Sequence, residues 1–343
     1  MLAPMSPRQL ESLRRLLCGL QDHIRDTVAR ARSKPGVRLS RVAAVTAADT
    51  IYAIDRVSEA AILGWFERHW PKSAPVRLVM EGLDEEGAPV TFPQGIPPER
   101  VRLTCIIDPI DGTRNLMVDK RSGWILAGIA VNPAGGRAPR LGDIVVAAMT
   151  ELPPSKQTCS DQLSAVRGGP LRARRLDLAM RRPRHLSPAP SPARHFSHGF
   201  ASVVKFFPAG KTLLAQWEES FWEALKVAPR GRSPLIFDDQ YLSTGGQLYE
   251  LISGHDRFVA DLRPLAFATL GLPCELVCHP YDICTALLLE AAGGVVERPD
   301  GRPLDAPLDT TSPVAWVGYA NPRLAALARP AVRRICRRIF GKT

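Results

Sequence analysis

The chain has little of what would send it to a membrane, an oxidising compartment or a nucleic acid. Its 343 residues contain no apolar run that approaches the roughly 20 residues a membrane-spanning helix needs. Met1 to Gln21 is interrupted early by arginine and lacks the compact apolar core of a cleavable signal, so a cytoplasmic protein is expected. The seven cysteines (Cys18, Cys105, Cys159, Cys274, Cys278, Cys284 and Cys336) are odd in number and scattered, which fits reduced thiols rather than a disulfide framework. Cys274, Cys278, His279 and Cys284 lie close in sequence, but no second ligand pair flanks them at a standard zinc spacing. Acidic residues fall short of basic ones, 34 against 45, leaving a formal net charge of +11. No stripe of interleaved aromatic and basic residues accompanies that excess, and no nucleic-acid-binding motif is present. The excess is either a solvated basic surface or attraction for a small anionic substrate, and no nucleic-acid partner is expected.

What the chain does have is one stretch around which the rest is organised, Cys105-Ile106-Ile107-Asp108-Pro109-Ile110-Asp111-Gly112-Thr113-Arg114-Asn115. Leu103 to Ile107 reads as a buried strand, and Asp-Pro is expected to end its ladder and begin a turn. A turn lets Asp108 and Asp111 face one point, which strict strand alternation would forbid. Gly112 permits close backbone approach to a ligand, Thr113 offers a hydroxyl, and the amides from Gly112 onward suit an anion at the start of a short helix. The stretch is either a plain turn, since Asp, Pro and Gly are turn residues, or a set of metal-ligand carboxylates beside an anion cradle, as metal-assisted phosphate chemistry requires. The three-residue spacing of the aspartates, with proline between, argues against a phospho-aspartyl mechanism of the Asp-x-Asp-x-Thr type.

Along the chain, Ser6-Pro7-Arg8-Gln9 opens an amphipathic helix to about residue 31, with Ser6 as N-cap and Gln9 completing a capping box. A second helix is expected from about Asp55 to Pro71, and Val76 to Gly82 is a strand ending in Glu81. Gly123 to Val131 and Leu141 to Met149 read as a hairpin. Met180 to His198 is read as a loop or linker, and Val203 to Phe207 as a strand. Leu213 to Leu225 is helical, and a further helix begins at Ser243-Thr244-Gly245-Gly246, where Ser243 and Thr244 either cap the helix or touch substrate. Arg257 to Asp261 is a strand, and Tyr281-Asp282 opens a helix that stops at Gly293-Gly294. Val295 to Glu297 and Val314 to Gly318 are closing strands, and Arg323 to Arg338 is a basic helix bent or broken at Pro330. The expected organisation is an N-terminal α+β half (1–170), a basic, proline-rich linker (171–200) and a C-terminal α/β half (201–343).

Asp108-Pro109-Ile110-Asp111-Gly112-Thr113 resembles the central motif of the inositol monophosphatase family, and the likeness extends from about Asp49 to Asn321. Asp49 to Asp55 is similar to the family's Asp-x-x-Thr-x-x-Asp run, with Tyr52 in place of the threonine. Glu81 stands where the family has the first residue of a Glu-Glu pair, with Gly82 in place of the second; Tyr281-Asp282 matches its Trp-Asp. The resemblance implies a layered sugar-phosphatase fold, α+β followed by α/β in alternating helix and sheet layers. It also implies a hydrolase of phosphoric monoesters, inositol-phosphate phosphatase-like, that is often lithium-inhibited. Two or three Mg²⁺ ions would be held by Glu81, Asp108, the Ile110 carbonyl, Asp111 and Asp282. Thr113, oriented by Asp55, would position a water together with Glu81, while Gly112, Thr113, Ser243 and Thr244 would bind substrate. Gly82 puts a third metal position in doubt. A homodimer is implied by resemblance alone. The alternative reading is a non-catalytic relative that binds a metal or ligand in the acidic pocket.

Overall fold

The structure is a computed structural model that describes residues 5–33, 42–45, 50–81, 83, 89–97, 100–227 and 235–341, with 42–45 and 50–55 described by their backbone alone. The chain groups into two compact units.

The first unit comprises Met1–Ser187, His279–Leu288 and Ala306–Ser312. Helix α1 (Pro7–Arg32) begins as its sequence dictates: the Gln9 amide donates to Ser6 Oγ at 3.3 Å and the Ser6 amide to Gln9 Oε1 at 2.8 Å. A two-stranded ribbon, β1 (Val42–Val45) and β2 (Thr50–Tyr52), precedes α2 (Ala53–His69). An eight-stranded sheet follows, made of β3 (Val76–Met80), β4 (Val90–Phe92), β5 (Leu103–Asp111), β6 (Gly123–Val131), β7 (Ile144–Leu152), β8 (Cys159–Val166), β9 (Arg172–Asp177) and β10 (Arg182–His185). Its order is β10-β9-β8-β7-β6-β5-β3-β4, antiparallel throughout except for the parallel pair β3–β5. A short helix, α3 (Thr113–Met117), interrupts the chain between β5 and β6.

Leu17, Leu20 and Ile24 of α1 and Ile62 and Phe66 of α2 share one core with Cys105 and Ile107 of β5 and Ile125, Ala127 and Ile129 of β6. Those strand residues alternate, so the two helices cover one face of the sheet and the intervening residues point to the other. Gln21 is fully buried on this face. Its amide donates to the carbonyls of Ile125 (3.2 Å) and Ala148 (2.8 Å) and accepts from Thr150 Oγ1 at 2.8 Å, which satisfies it inside an apolar layer. On the second face lies α7 (Pro280–Ile283), which packs against β5 and β6 and is followed by α8 (Ala286–Ala291).

The second unit comprises Pro188–Cys278, Leu289–Asp305 and Pro313–Thr343. Its five-stranded sheet runs β12 (Ile236–Phe237), β11 (Gly199–Val203), β13 (Asp256–Asp261), β15 (Trp316–Tyr319), β14 (Val295–Glu297). The first three strands are parallel, and β15 is antiparallel to both of its neighbours. Helices α4 (Lys211–Ala224), α6 (Arg263–Leu270) and α9 (Pro322–Phe340) pack on one another around Trp217, Phe221, Phe258 and Tyr319. Helix α5 (Thr244–Ile252) packs against β13 and β15. Mixed sheets interleaved with helices are the architecture that the sequence implied.

Local differences have local causes. Much of the stretch expected to be a linker is a hairpin: β9 and β10 extend the sheet, turned by Asp177, whose Oδ1 accepts from the Ala179 and Met180 amides at 3.1 and 2.8 Å. Beyond β10 it is free of helix and strand, from Leu186 to His198. The strand expected at Val203–Phe207 lies earlier, at Gly199–Val203. Helix α6 was not expected from the sequence, although Pro264 opens it and Gly271 closes it; it follows Asp261, whose carboxylate holds Arg263 through Nε at 2.9 Å and Nη2 at 2.5 Å. Helix α9 is continuous through Pro330. Pro330 and Ala326, the residue whose carbonyl proline leaves without a donor, are both exposed.

Candidate active site

Strand β5 continues through the proline that was expected to end it. Asp108 pairs opposite Leu126 and Asp111 opposite Trp124, three steps on β5 against two on β6. That extra residue is a bulge, and it carries Asp111 back to the face Asp108 occupies. Ile110 goes the other way, into the core under α1 and α2. Proline fits here because a bulge leaves a position without a ladder hydrogen bond. The Ile110 amide donates to Asp108 Oδ1 at 3.0 Å, and Thr113 Oγ1 donates to the Ile110 carbonyl at 2.7 Å. Gly112, at φ +82°, turns the chain into α3, and its carbonyl accepts from the amides of Asn115 (2.9 Å) and Leu116 (3.2 Å).

Asp282 arrives from the other side of the sheet's second face. It sits in the single turn of α7, with His279 as N-cap and Pro280 as first residue. Its Oδ2 accepts from the His279 amide at 2.6 Å, which fixes the carboxylate, and the His279 ring stacks on Tyr281. The approach of α7 depends on Gly128 of β6. A Cβ there would lie 3.1 Å from the Cys284 carbonyl and 3.0 Å from Ile144 Cδ1.

The outcome is that Asp108, Asp111 and Asp282 each bring a carboxylate oxygen within 4.8 Å of the others. Asp108 and Asp111 are buried. Burial first, then the charges of Asp111, Asp282 and Glu81, pushes the Asp108 carboxyl well above its ordinary range. Glu81, half-buried just beyond β3, is thus within electrostatic reach of the group. One thiol, Cys284, adjoins it, while Cys105 lies on the opposite face of β5. Burial raises Cys105, and burial together with Asp108 raises Cys284, so both stay protonated at neutral pH and offer no thiolate. The donors are hard oxygens whose mutual repulsion a divalent cation would relieve, which fits Mg²⁺ or Mn²⁺ better than a soft metal.

Of the residues singled out in the sequence, the structure brings together Asp108, Asp111 and Asp282, with Glu81 near them and Gly112 and Thr113 directly after. Ser243 and Thr244 lie in the second unit at the start of α5, where Ser243 Oγ accepts from the Gly246 amide at 2.8 Å. Asp55 falls in α2 with its side chain outside the described residues, as do the side chain of Tyr52 and the whole of Gly82. Sequence reasoning missed Gly128 and the His279 amide. Neither carries chemistry of its own; each acts by letting another residue arrive.

No protein-family model and no curated protein sequence matches the chain. Solved structures do. Fructose-1,6-bisphosphatase from Leishmania major, in its holo form, superposes with a TM-score of 0.64 at 16% identity, covering 95% of this chain and 95% of that one. The extragenic suppressor protein SuhB from Bartonella henselae gives 0.63 at 14% identity over 94% of this chain and 99% of its own. An inositol monophosphatase from Zymomonas mobilis gives 0.57 at 17% identity over 96% and 99%. The chain has the inositol monophosphatase fold. Within that fold the β5 bulge and α7 of this chain supply three aspartates from segments about 170 residues apart in sequence.

Proposed function

We propose that the protein is a Mg²⁺-dependent phosphomonoesterase of the inositol monophosphatase kind, hydrolysing a small phosphorylated polyol, sugar or nucleotide. The observation that carries this reading is the convergence of Asp108, Asp111 and Asp282 on one point of a phosphatase fold. Glu81, Asp108, the Ile110 carbonyl, Asp111 and Asp282 would hold two or three ions. When bound, the ions supply Lewis-acid polarisation and neutralise charge on the leaving group.

The chain's own residues do the rest. The Thr113 hydroxyl donates to the Ile110 carbonyl, which leaves its oxygen lone pairs to accept from an attacking water. Glu81 offers a second acceptor, and Asp55, by the resemblance to the family, would orient Thr113 by accepting the hydroxyl's hydrogen bond in place of the Ile110 carbonyl. The amides of Gly112 and Thr113 hold phosphate oxygens. Water adds its oxygen to phosphorus in line with the ester oxygen; the P–O ester bond breaks, and the alcohol leaves carrying a proton. No covalent phospho-enzyme forms.

The test is phosphate release from myo-inositol 1-phosphate, fructose 1,6-bisphosphate and 3'-phosphoadenosine 5'-phosphate, with and without Mg²⁺. Mg²⁺-dependent release from at least one of them, lost in Asp108→Asn, is the expected result. A folded, Mg²⁺-binding protein that releases phosphate from none would move the reading to a non-catalytic binding protein.

A further inference from the structure

The first unit has a cavity built from elements that the aspartate group does not use. It measures about 520 Å³, within the range of small-molecule sites. The last two turns of α1, the Leu152-Pro153-Pro154 exit from β7 and the turn after β9 enclose it. Val28, Leu152, Pro153, Pro154 and Leu178 give it an apolar floor.

Its rim is charged and uneven. Four arginines (Arg25, Arg30, Arg32 and Arg181) face two carboxylates, Asp26 and Asp119. Most of these charges are locked together. Arg32 donates to the Pro153 carbonyl and to Asp119 Oδ1, both at 2.7 Å. Asp119 also accepts from the Ser155 amide at 2.7 Å, which pins the β7 exit to the end of α1 and holds the cavity's shape. Asp26 takes Arg25 and Arg181. Arg30 is different: it is exposed, and its Nη2 donates to Thr27 Oγ1 at 3.1 Å, a neutral partner on its own helix. The cavity thus combines a preformed apolar floor with one cation, Arg30, that no carboxylate among the described rim residues neutralises.

We infer that this cavity is a binding site for a small apolar-bodied anion, an aromatic carboxylate or sulfonate whose ring system lies on Leu152, Pro153 and Leu178 and whose charge meets Arg30. The site is separate from the phosphatase reading and stands or falls without it.

The probe is 8-anilinonaphthalene-1-sulfonate, titrated by fluorescence into the full chain, with the uncharged N-phenyl-1-naphthylamine alongside. The expected result is saturable binding of one sulfonate per chain, with the neutral analogue at least several-fold weaker. Ala29→Trp places an indole in the cavity from an exposed helix position and is expected to reduce sulfonate affinity at least tenfold. Arg30→Glu is expected to weaken the sulfonate several-fold while leaving the neutral analogue unchanged. Circular dichroism checks that both variants keep the wild-type fold. Absence of saturable binding, or unchanged affinity in folded Ala29→Trp, overturns the site. Equal binding of charged and uncharged probes, or an Arg30→Glu variant that binds sulfonate as wild type does, overturns its preference for anions.

Discussion

Asp108 is buried where three other carboxylates act on its charge, and its raised pKa has a definite consequence for stability. The folded chain keeps that proton over a pH range in which the unfolded chain has lost it. Its contribution is therefore favourable at low pH and is lost as pH rises from the unfolded value of 3.8 through the raised one. Glu11 acts in the opposite sense: hydrogen bonds from Arg14 hold it at about 2, so its contribution is present above 4.5 and lost as pH falls. The difference between wild type and Asp108→Asn isolates Asp108. At neutral pH without metal, Asp108→Asn is expected to raise Tm by about 2 °C, because it removes the cost of holding a carboxyl group there, whether protonated or charged. The same variant is expected to lose the Tm increase that Mg²⁺ gives wild type. Calorimetry with and without Mg²⁺ reads both. The residue types of the site were legible in the sequence, because two aspartates, a glycine and a threonine at that spacing have few uses after an apolar strand. The supporting Gly128 was not. A glycine in a strand signals close approach of something, and nothing in the sequence says of what.

At the scale of elements, the site depends on two short devices, the bulge in β5 and the single turn of α7. Gly128→Ala is expected to cost about 1–3 kcal/mol, since the added methyl meets the Cys284 carbonyl and Ile144. Mg²⁺ affinity is expected to fall with it, because the methyl pushes α7 and Asp282 away from β5. Urea denaturation and Mg²⁺ titration of the variant check the two effects separately. In the second unit, the Asp261–Arg263 pair is buried, and Arg263 Nη1 also donates to the Leu276 carbonyl at 2.7 Å. Arg263→Ala is expected to cost about 3–5 kcal/mol by leaving Asp261 charged and unmatched, again read by urea denaturation. Most elements were legible from periodicity and capping, as α1 shows with Ser6 and Gln9. The departures came where tertiary context decided. Strand β5 runs through Pro109 because a bulge tolerates the missing donor. The β9–β10 hairpin forms in an arginine-rich stretch because it has a sheet edge to join. Helix α6 carries Pro264 and Gly271 as its start and stop signals but is anchored at its first turn by an ion pair, Asp261 with Arg263, that they do not announce.

At the scale of the molecule, the architecture was legible through the order of its motifs rather than through any one of them, and its likeness to solved structures holds at 14–17% identity. The division of the chain was harder to read. His279–Leu288 belongs with the first unit although it lies far along the sequence, because α7 packs on β5 and β6. The net charge of +11 acts at this scale too. If the substrate is a phosphate ester, kcat/KM is expected to fall several-fold as salt is raised to physiological strength, with kcat changing little, because screening weakens long-range attraction and not the chemistry. Initial rates across a salt series at constant Mg²⁺ check this. The central claim about the site is that Asp108, Asp111 and Asp282 form one cation site. Calorimetric titration of Mg²⁺ into wild type, Asp108→Asn and Asp282→Asn tests it most directly. The account requires Mg²⁺ binding in wild type and at least tenfold weaker binding in each folded variant; wild-type affinity retained in either would contradict it.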